Sequence, residues 1–229
     1  MHAYFLVADF VHDPIIADGR VGVLSRMVAP GEGGSLDGQE ERNRSQIEHL
    51  GESADLLAKV KPSVMMLAHT ASSYTLGRDA EGKLVERMAA QYKTPFATAF
   101  GSVVAALQKL GARRIALGAP YSEAITLQGK ALLEAHGFAV VRHGRLANVS
   151  NIFDETPERA YQLGRSVDAG EVEAVFLSGL GMPTIPMLAV LERDLGKPVI
   201  SAASAMMWNA LRIAGVRESV KGYGRLLEG

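Results

Sequence analysis

The sequence predicts an α/β protein of two related halves, each a parallel sheet flanked by helices, with a site in the cleft between them. Two observations carry that expectation. Short apolar runs rich in β-branched residues alternate with longer segments of helical periodicity, the pattern of strands buried on both faces. One unit also occurs twice. Thr94-Pro95-Phe96-Ala97-Thr98, with a helix closing at Leu110-Gly111-Ala112-Arg113, matches Lys197-Pro198-Val199-Ile200-Ser201, with a helix closing at Ala214-Gly215-Val216-Arg217. The copies lie about a hundred residues apart with a one-residue slip, and no low-complexity linker separates them. The expected division is a first half of 1–94 plus 203–229 and a second half of 95–202.

The elements follow in order. Tyr4-Phe5-Leu6-Val7-Ala8 is the first strand, and Val21 to Val28 contains the second. The polar, Gly-rich stretch 30–38 is a loop, and a helix from Glu40 to Val60 is stopped by Pro62. Ser63 to Ala68 is a buried strand that runs straight into His69-Thr70-Ala71-Ser72-Ser73-Tyr74. A helix over Glu81 to Tyr92, a strand at Phe96-Ala97-Thr98 and a helix from Ser102 to Leu110 come next. Arg114 to Gly118 is a strand that delivers Ala119-Pro120-Tyr121-Ser122-Glu123. A helix over Ala124 to His136, an extended Ala139-Val140-Val141 and a helix around Thr156 to Ala169 follow. The strand Ala174 to Ser178 opens into Gly179-Leu180-Gly181-Met182-Pro183-Thr184, and a helix from Ile185 to Leu195 leads to the strand Pro198 to Ser201. A helix from Ala205 to Ala214 closes the alternation. Ligands of open parallel sheets sit outside the carboxyl ends of the strands, so the strand ends at His69, Tyr121 and Gly179 are where a site is expected.

Composition narrows the chemistry. With 24 Lys+Arg against 25 Asp+Glu, the net charge of −1 provides no attraction to nucleic acid or an anionic membrane. The absence of cysteine removes disulfides, thiolate metal sites and thiol nucleophiles. No stretch approaches the ~18 consecutive apolar residues of a membrane span, and the N-terminus lacks a basic region before its apolar run. A soluble, cytoplasmic protein is expected, with a possible homo-oligomeric state.

Familiar ligand motifs fail. Gly179-Leu180-Gly181-Met182-Pro183-Thr184 begins like a dinucleotide fingerprint but has Thr184 at the third glycine. Ser178 has Phe176 two positions before it, so it is not on a nucleophile elbow. The six histidines show no metal-ligand spacing on one element. Neither a cofactor nor a metal is expected.

His69-Thr70-Ala71-Ser72-Ser73-Tyr74 places an imidazole, hydroxyls and backbone N–H groups where a strand turns into a helix. Such a turn can cradle a carboxylate, and the glycines of Ser178-Gly179-Leu180-Gly181 permit close backbone approach from the other half. Together with Leu67 to Gly77, Ile115 to Tyr121, Phe176 to Ser201, Trp208 to Gly215 and Gly222-Tyr223-Gly224-Arg225-Leu226, this pattern resembles the aspartate/glutamate racemase superfamily, in its arylmalonate decarboxylase and maleate cis-trans isomerase branch. The resemblance implies two flavodoxin-like halves. It implies that racemase cysteines face each other at the positions of His69 and Gly179, that the decarboxylase keeps the second for proton delivery, and that the isomerase uses the first as nucleophile. It also implies a carboxylate or enediolate pocket at Thr70, the Ala71 backbone, Tyr121 and Gly179-Leu180.

The expected activity is therefore that of a cofactor-independent lyase or decarboxylase acting at the α-carbon of a small carboxylic acid, with His69 as acid/base in place of cysteine and Tyr121 as a second catalytic group. An imidazole of ordinary pKa near ~6.5 exchanges protons near neutrality, and Gly179 leaves the opposite wall empty. A cis-trans or double-bond isomerase of a maleate-like dicarboxylate and a non-catalytic carboxylate-binding protein are the alternatives. Each residue also has a plainer reading. Thr70 is a helix cap, Ser72 satisfies turn backbone, and Gly179 and Gly181 serve turn geometry alone. Asp9 orients substrate or His69, or is a solvated loop residue; Arg26 pairs with a second substrate carboxylate or with Glu32. The run Glu40-Glu41-Arg42-Asn43-Arg44 reads as a solvated helical face, and Met65, Met66, Met206, Met207 and Trp208 as core filling.

Overall fold

A computed structural model describes the backbone of Ala3–Val7 and Val21–Leu24, and residues 35–229 in full. Asp9, Arg26 and most of the Gly-rich stretch 30–38 lie outside the described residues.

Two four-stranded parallel sheets form the protein. The first holds β1 (Ala3–Val7), β2 (Val21–Leu24), β3 (Met65–Ala68) and β4 (Phe96–Thr98) in the order β2-β1-β3-β4. The second holds β5 (Arg114–Ala119), β6 (Ala139–Arg145), β7 (Ala174–Leu177) and β8 (Val199–Ser201) in the order β6-β5-β7-β8. The orders are equivalent, so the repeat read in the sequence is a repeat of topology and β3 corresponds to β7. Met66 is registered with Ala97 on β4, as Phe176 is with Ile200 on β8. Segment 95–202 thus contributes its opening strand to the first sheet.

The repeated strands β4 and β8 each lead into a capped helix. Thr98 accepts a hydrogen bond from the Gly101 N–H at 2.8 Å to start α4 (Ala99–Lys109). Ser201 and Ser204 form a reciprocal capping box that starts α8 (Ala202–Ile213). The two helices pack on each other, and the Asn209 amide donates to Ser102 Oγ at 3.1 Å across the contact. Phe100, Val103 and Leu107 of α4 join Met206 and Ala210 of α8 in one apolar core reaching into both halves. A smaller cluster of Leu50, Leu57, Met65, Leu67, Leu84, Met88 and Phe96 covers the other face of the first sheet. The methionines at 65, 66, 206 and 207 and Trp208 are buried, as core filling requires.

Two expected elements change. The helix expected over 40–60 is two, α1 (Gln39–Glu48) and α2 (Leu50–Ala58), because His49 at φ −95°, ψ 6° leaves the helical region. The helix expected from Glu81 starts eleven residues earlier, as α3 (Thr70–Tyr92), kinked at Gly77. Its first turn is dominated by hydroxyl residues, Thr70, Ser72 and Ser73, of weak helix propensity. Burial of Thr70, Ala71, Ser72, Ser73 and Tyr74 against the core overrides that preference. The remaining helices are α5 (Glu123–Ala135), α6 (Pro157–Val167), α7 (Leu188–Leu195) and α9 (Arg225–Glu228). No helix among the described residues is long and apolar enough to cross a membrane.

Candidate active site

His69 leaves β3 in extended backbone, φ −148°, ψ 104°, and caps α3 with its own ring. Its Nδ1 accepts the Ser72 N–H at 3.2 Å and lies 2.9 Å from Ser72 Oγ. Ser72 Oγ is in turn 3.4 Å from the Asn43 carbonyl. A backbone N–H only donates, so Nδ1 is an acceptor and the neutral ring carries its proton on Nε2. Nε2 has no hydrogen-bond partner among the described residues. Burial, and secondly the charge of Arg42, lower the pKa of this imidazole to about 4. The ordinary value expected for the residue type is thereby corrected: at neutral pH His69 is an uncharged ring presenting an N–H.

The surface in front of it is lined by Arg42, Asn43, Gln39 and Gln46 of α1, with Thr70, Tyr121, Ile152, Leu180 and Gly181. Glu40, Glu41 and Arg44 are exposed as a solvated face requires, but Arg42 and Asn43 turn inward and correct that reading. Arg42 is only 4% exposed and Asn43 is fully buried. Arg42 Nη1 donates to the Asp37 carbonyl at 2.5 Å and Nη2 to that of Ser35, but it has no carboxylate partner among the described residues. The Asn43 amide nitrogen donates to the Ala71 carbonyl at 3.3 Å and to Thr75 Oγ1 at 3.1 Å, which fixes its oxygen the other way. Asn43 Oδ1, Gln39 Oε1 and Thr70 Oγ1 are buried without a partner among the described residues. Such atoms each cost about 1–3 kcal/mol unless something binds them, so this surface offers acceptors that water or a polar ligand would satisfy. One signal could have found it. Gln39, Arg42, Asn43 and Gln46 recur at the i, i+3, i+4, i+7 spacing of one helical face, while the acidic Glu40, Glu41 and Glu48 lie off it.

The second half supplies the facing wall. β5 ends in Pro120 and Tyr121, and β7 in Ser178 and Gly179. The Tyr74 hydroxyl is 2.7 Å from Ser178 Oγ, tying α3 to the β7 exit. Its ring meets Tyr121 edge-on, with centroids 6.2 Å apart. Gly179 has φ +94°, and a Cβ there would lie 2.7 Å from Pro120 Cγ and 3.6 Å from the Tyr121 hydroxyl. The expectation of an empty wall is thus corrected, since the Pro120 ring and the Tyr121 hydroxyl occupy it. Gly181 is small because the Phe153 ring takes the space of its Cβ. His69, Thr70, Tyr121, Leu180 and Gly181 come together on one surface. Ala71 and Ser72 stand behind it as part of the α3 cap, and Gly179 stands beside Tyr121. Among the described residues no group of acidic or histidine side chains is arranged to hold a metal.

Duplicated sheets of this order, with a polar cleft at facing strand ends, define a pseudo-symmetric two-half α/β protein. The arylmalonate decarboxylase family profile matches residues 32–227, and the chain belongs to that family, within the aspartate/glutamate racemase superfamily. It is 31% identical over 179 residues to the maleate isomerase of Nocardia farcinica, an alignment covering 75% of this chain and 71% of that protein. It is 28% identical over 193 residues to the arylmalonate decarboxylase of Bordetella bronchiseptica, covering 80% and 78%. The structure of the Nocardia farcinica maleate cis-trans isomerase bound to TRIS superposes with a TM-score of 0.85 at 23% identity, covering 100% of this chain and 98% of that one. The chain is accordingly a decarboxylase- or isomerase-type enzyme of the superfamily.

Proposed function

We propose that the chain decarboxylates a small malonate-type acid through an enediolate, with His69 and Tyr121 acting from opposite halves. The bond between the α-carbon and the departing carboxylate breaks, CO2 leaves, and the electron pair passes into the remaining carboxylate. His69 donates its Nε2–H to an enediolate oxygen, with the Thr70 hydroxyl beside it. A neutral donor already held in place stabilises developing charge without reorganising. The Tyr121 hydroxyl delivers a proton to the α-carbon and recovers one from solvent. The observation that carries this reading is the Ser72 N–H on Nδ1. It commits one ring nitrogen as acceptor and leaves the other as donor, so His69 works as a donor rather than as a proton-exchanging base. The same feature disfavours isomerisation by nucleophilic addition, since neither ring nitrogen retains a lone pair free to attack an alkene.

The test is turnover of substituted malonates, with maleate in parallel, in D2O by proton NMR. Loss of a carboxylate with one deuteron gained at the α-carbon is expected. His69→Ala should lower kcat/KM by about 10²- to 10³-fold, the usual consequence of removing an oxyanion donor. Because the group titrates near 4 and must be neutral at Nδ1, activity should fall on the acid side near pH 4 and stay level through 6.5. Full activity in His69→Ala, conversion of maleate alone, or binding without turnover would each overturn the proposal.

A further inference from the structure

We infer that Arg42 anchors a substrate anion that takes no part in the reaction, so that the cleft selects malonate-type acids bearing a further carboxylate beyond the two of the malonate unit. The inference rests on the lyase reading above and names its substrate class. Arg42 is buried, lines the same surface as His69 and Tyr121, and has no carboxylate partner among the described residues. Its guanidinium is aimed by two backbone carbonyls, those of Ser35 and Asp37, which orient it without cancelling its charge. A buried cation left uncompensated is costly, and a ligand carboxylate is the partner whose geometry matches a guanidinium fork. That carboxylate is not the departing one. Pairing with a fixed cation stabilises the ionised ground state, and that stabilisation is lost as the group becomes neutral CO2, so the contact would slow the reaction. An anion retained in the product carries no such penalty. The neighbouring acceptor Asn43 Oδ1, also buried and without a partner among the described residues, provides a place for a donor such as a hydroxyl or an ordered water beside that anion.

Product-like ligands test the idea without turnover. Calorimetric titration of the full chain compares succinate and glutarate with butyrate and pentanoate, acids of equal length lacking the second charge. The wild-type protein should bind each dicarboxylate about 10- to 100-fold more tightly, the range of a charge-assisted hydrogen-bonded pair. Arg42→Gln should bring that ratio to within about 3-fold while leaving monocarboxylate affinity unchanged, and Arg42→Lys should keep a substantial part of it. Gln39→Glu, which puts an internal carboxylate three residues away on the same helical face, should also erase the preference without removing the arginine. It keeps the test open if Arg42→Gln does not fold. Equal binding of both ligand classes by the wild type, or an undiminished ratio in Arg42→Gln or Gln39→Glu, would overturn the inference. A dicarboxylate preference without turnover would overturn the lyase reading alone, and turnover without the preference would overturn only the role of Arg42.

Discussion

The exits of β3 and β7 occupy equivalent places in the two halves and are built in opposite ways. At the β3 exit the chain is extended, a conformation open to any residue, and the chemistry is supplied by the His69 side chain and its Ser72 cap. At the β7 exit the backbone itself is committed. Gly179 sits at φ +94° and the Pro120 ring fills the space of a side chain. The first position can therefore change its chemistry by substitution, while the second is closed to side chains and leaves the wall to Tyr121. The two strand exits therefore differ in kind, a side chain doing the work in one half and the backbone shaping the wall in the other.

Placing a cysteine at each exit separates them most strongly. Gly179→Cys requires a conformation costing a non-glycine residue about 1–3 kcal/mol and a displaced Pro120. A total loss of about 3 kcal/mol is expected in urea denaturation. Adding Pro120→Ala removes the two contacting ring carbons and should recover part of it. His69→Cys meets no backbone obstacle and should cost about 1 kcal/mol, for the ring acceptor of the α3 cap. Equal losses at both positions would refute the contrast.

Two buried carboxylates extend it. Glu192 of α7 accepts the Val199 and Arg225 N–H groups, one on each oxygen, both at 2.8 Å. Glu192→Gln sets an amide NH2 against one of those donors and should cost about 2 kcal/mol. Between the halves, Tyr74→Phe removes the hydroxyl paired with buried Ser178 and should cost about 1–2 kcal/mol, with the urea m-value unchanged if the halves still unfold together.

Which features could be read beforehand follows from what each depends on. The alternation of elements and the repeat at Pro95 and Pro198 were legible because burial and turn chemistry leave local patterns. His69, Thr70, Tyr121, Leu180 and Gly181 line one surface, and they were legible as candidates because strand ends of parallel sheets are where ligands sit. Arg42 and Asn43 were missed because a charged run usually faces water, and only the strand ends beneath α1 make its polar stripe the inner face. The contact between Gly179 and Pro120 joins residues far apart in sequence, and a glycine looks the same whether it makes space or yields it. The acceptor role of His69 depends on the first turn of α3, which propensity alone assigns to a loop.

Glu81, the buried carboxylate of α3, shows the smallest difference and the one whose sign is least intuitive. Its carboxylate accepts a hydrogen bond from the Thr98 hydroxyl at 2.5 Å, and it has no ion pair among the described residues. Burial dominates and raises its pKa, with the hydrogen bonding opposing. A carboxyl whose folded pKa lies above its unfolded value binds more protons in the folded state, so stability falls as pH rises through that window and stays lower above it. Glu81→Gln keeps an oxygen to accept from Thr98 and carries no charge. It should therefore be neutral near pH 4 and stabilising by up to about 1 kcal/mol at pH 8, opposite in sign to Glu192→Gln. Thermal melts of both variants across that range make the comparison. If Glu81→Gln is destabilising at pH 8, the ionised carboxylate is better solvated by its surroundings than its hydroxyl hydrogen bonding implies, and the two halves treat their buried acids alike.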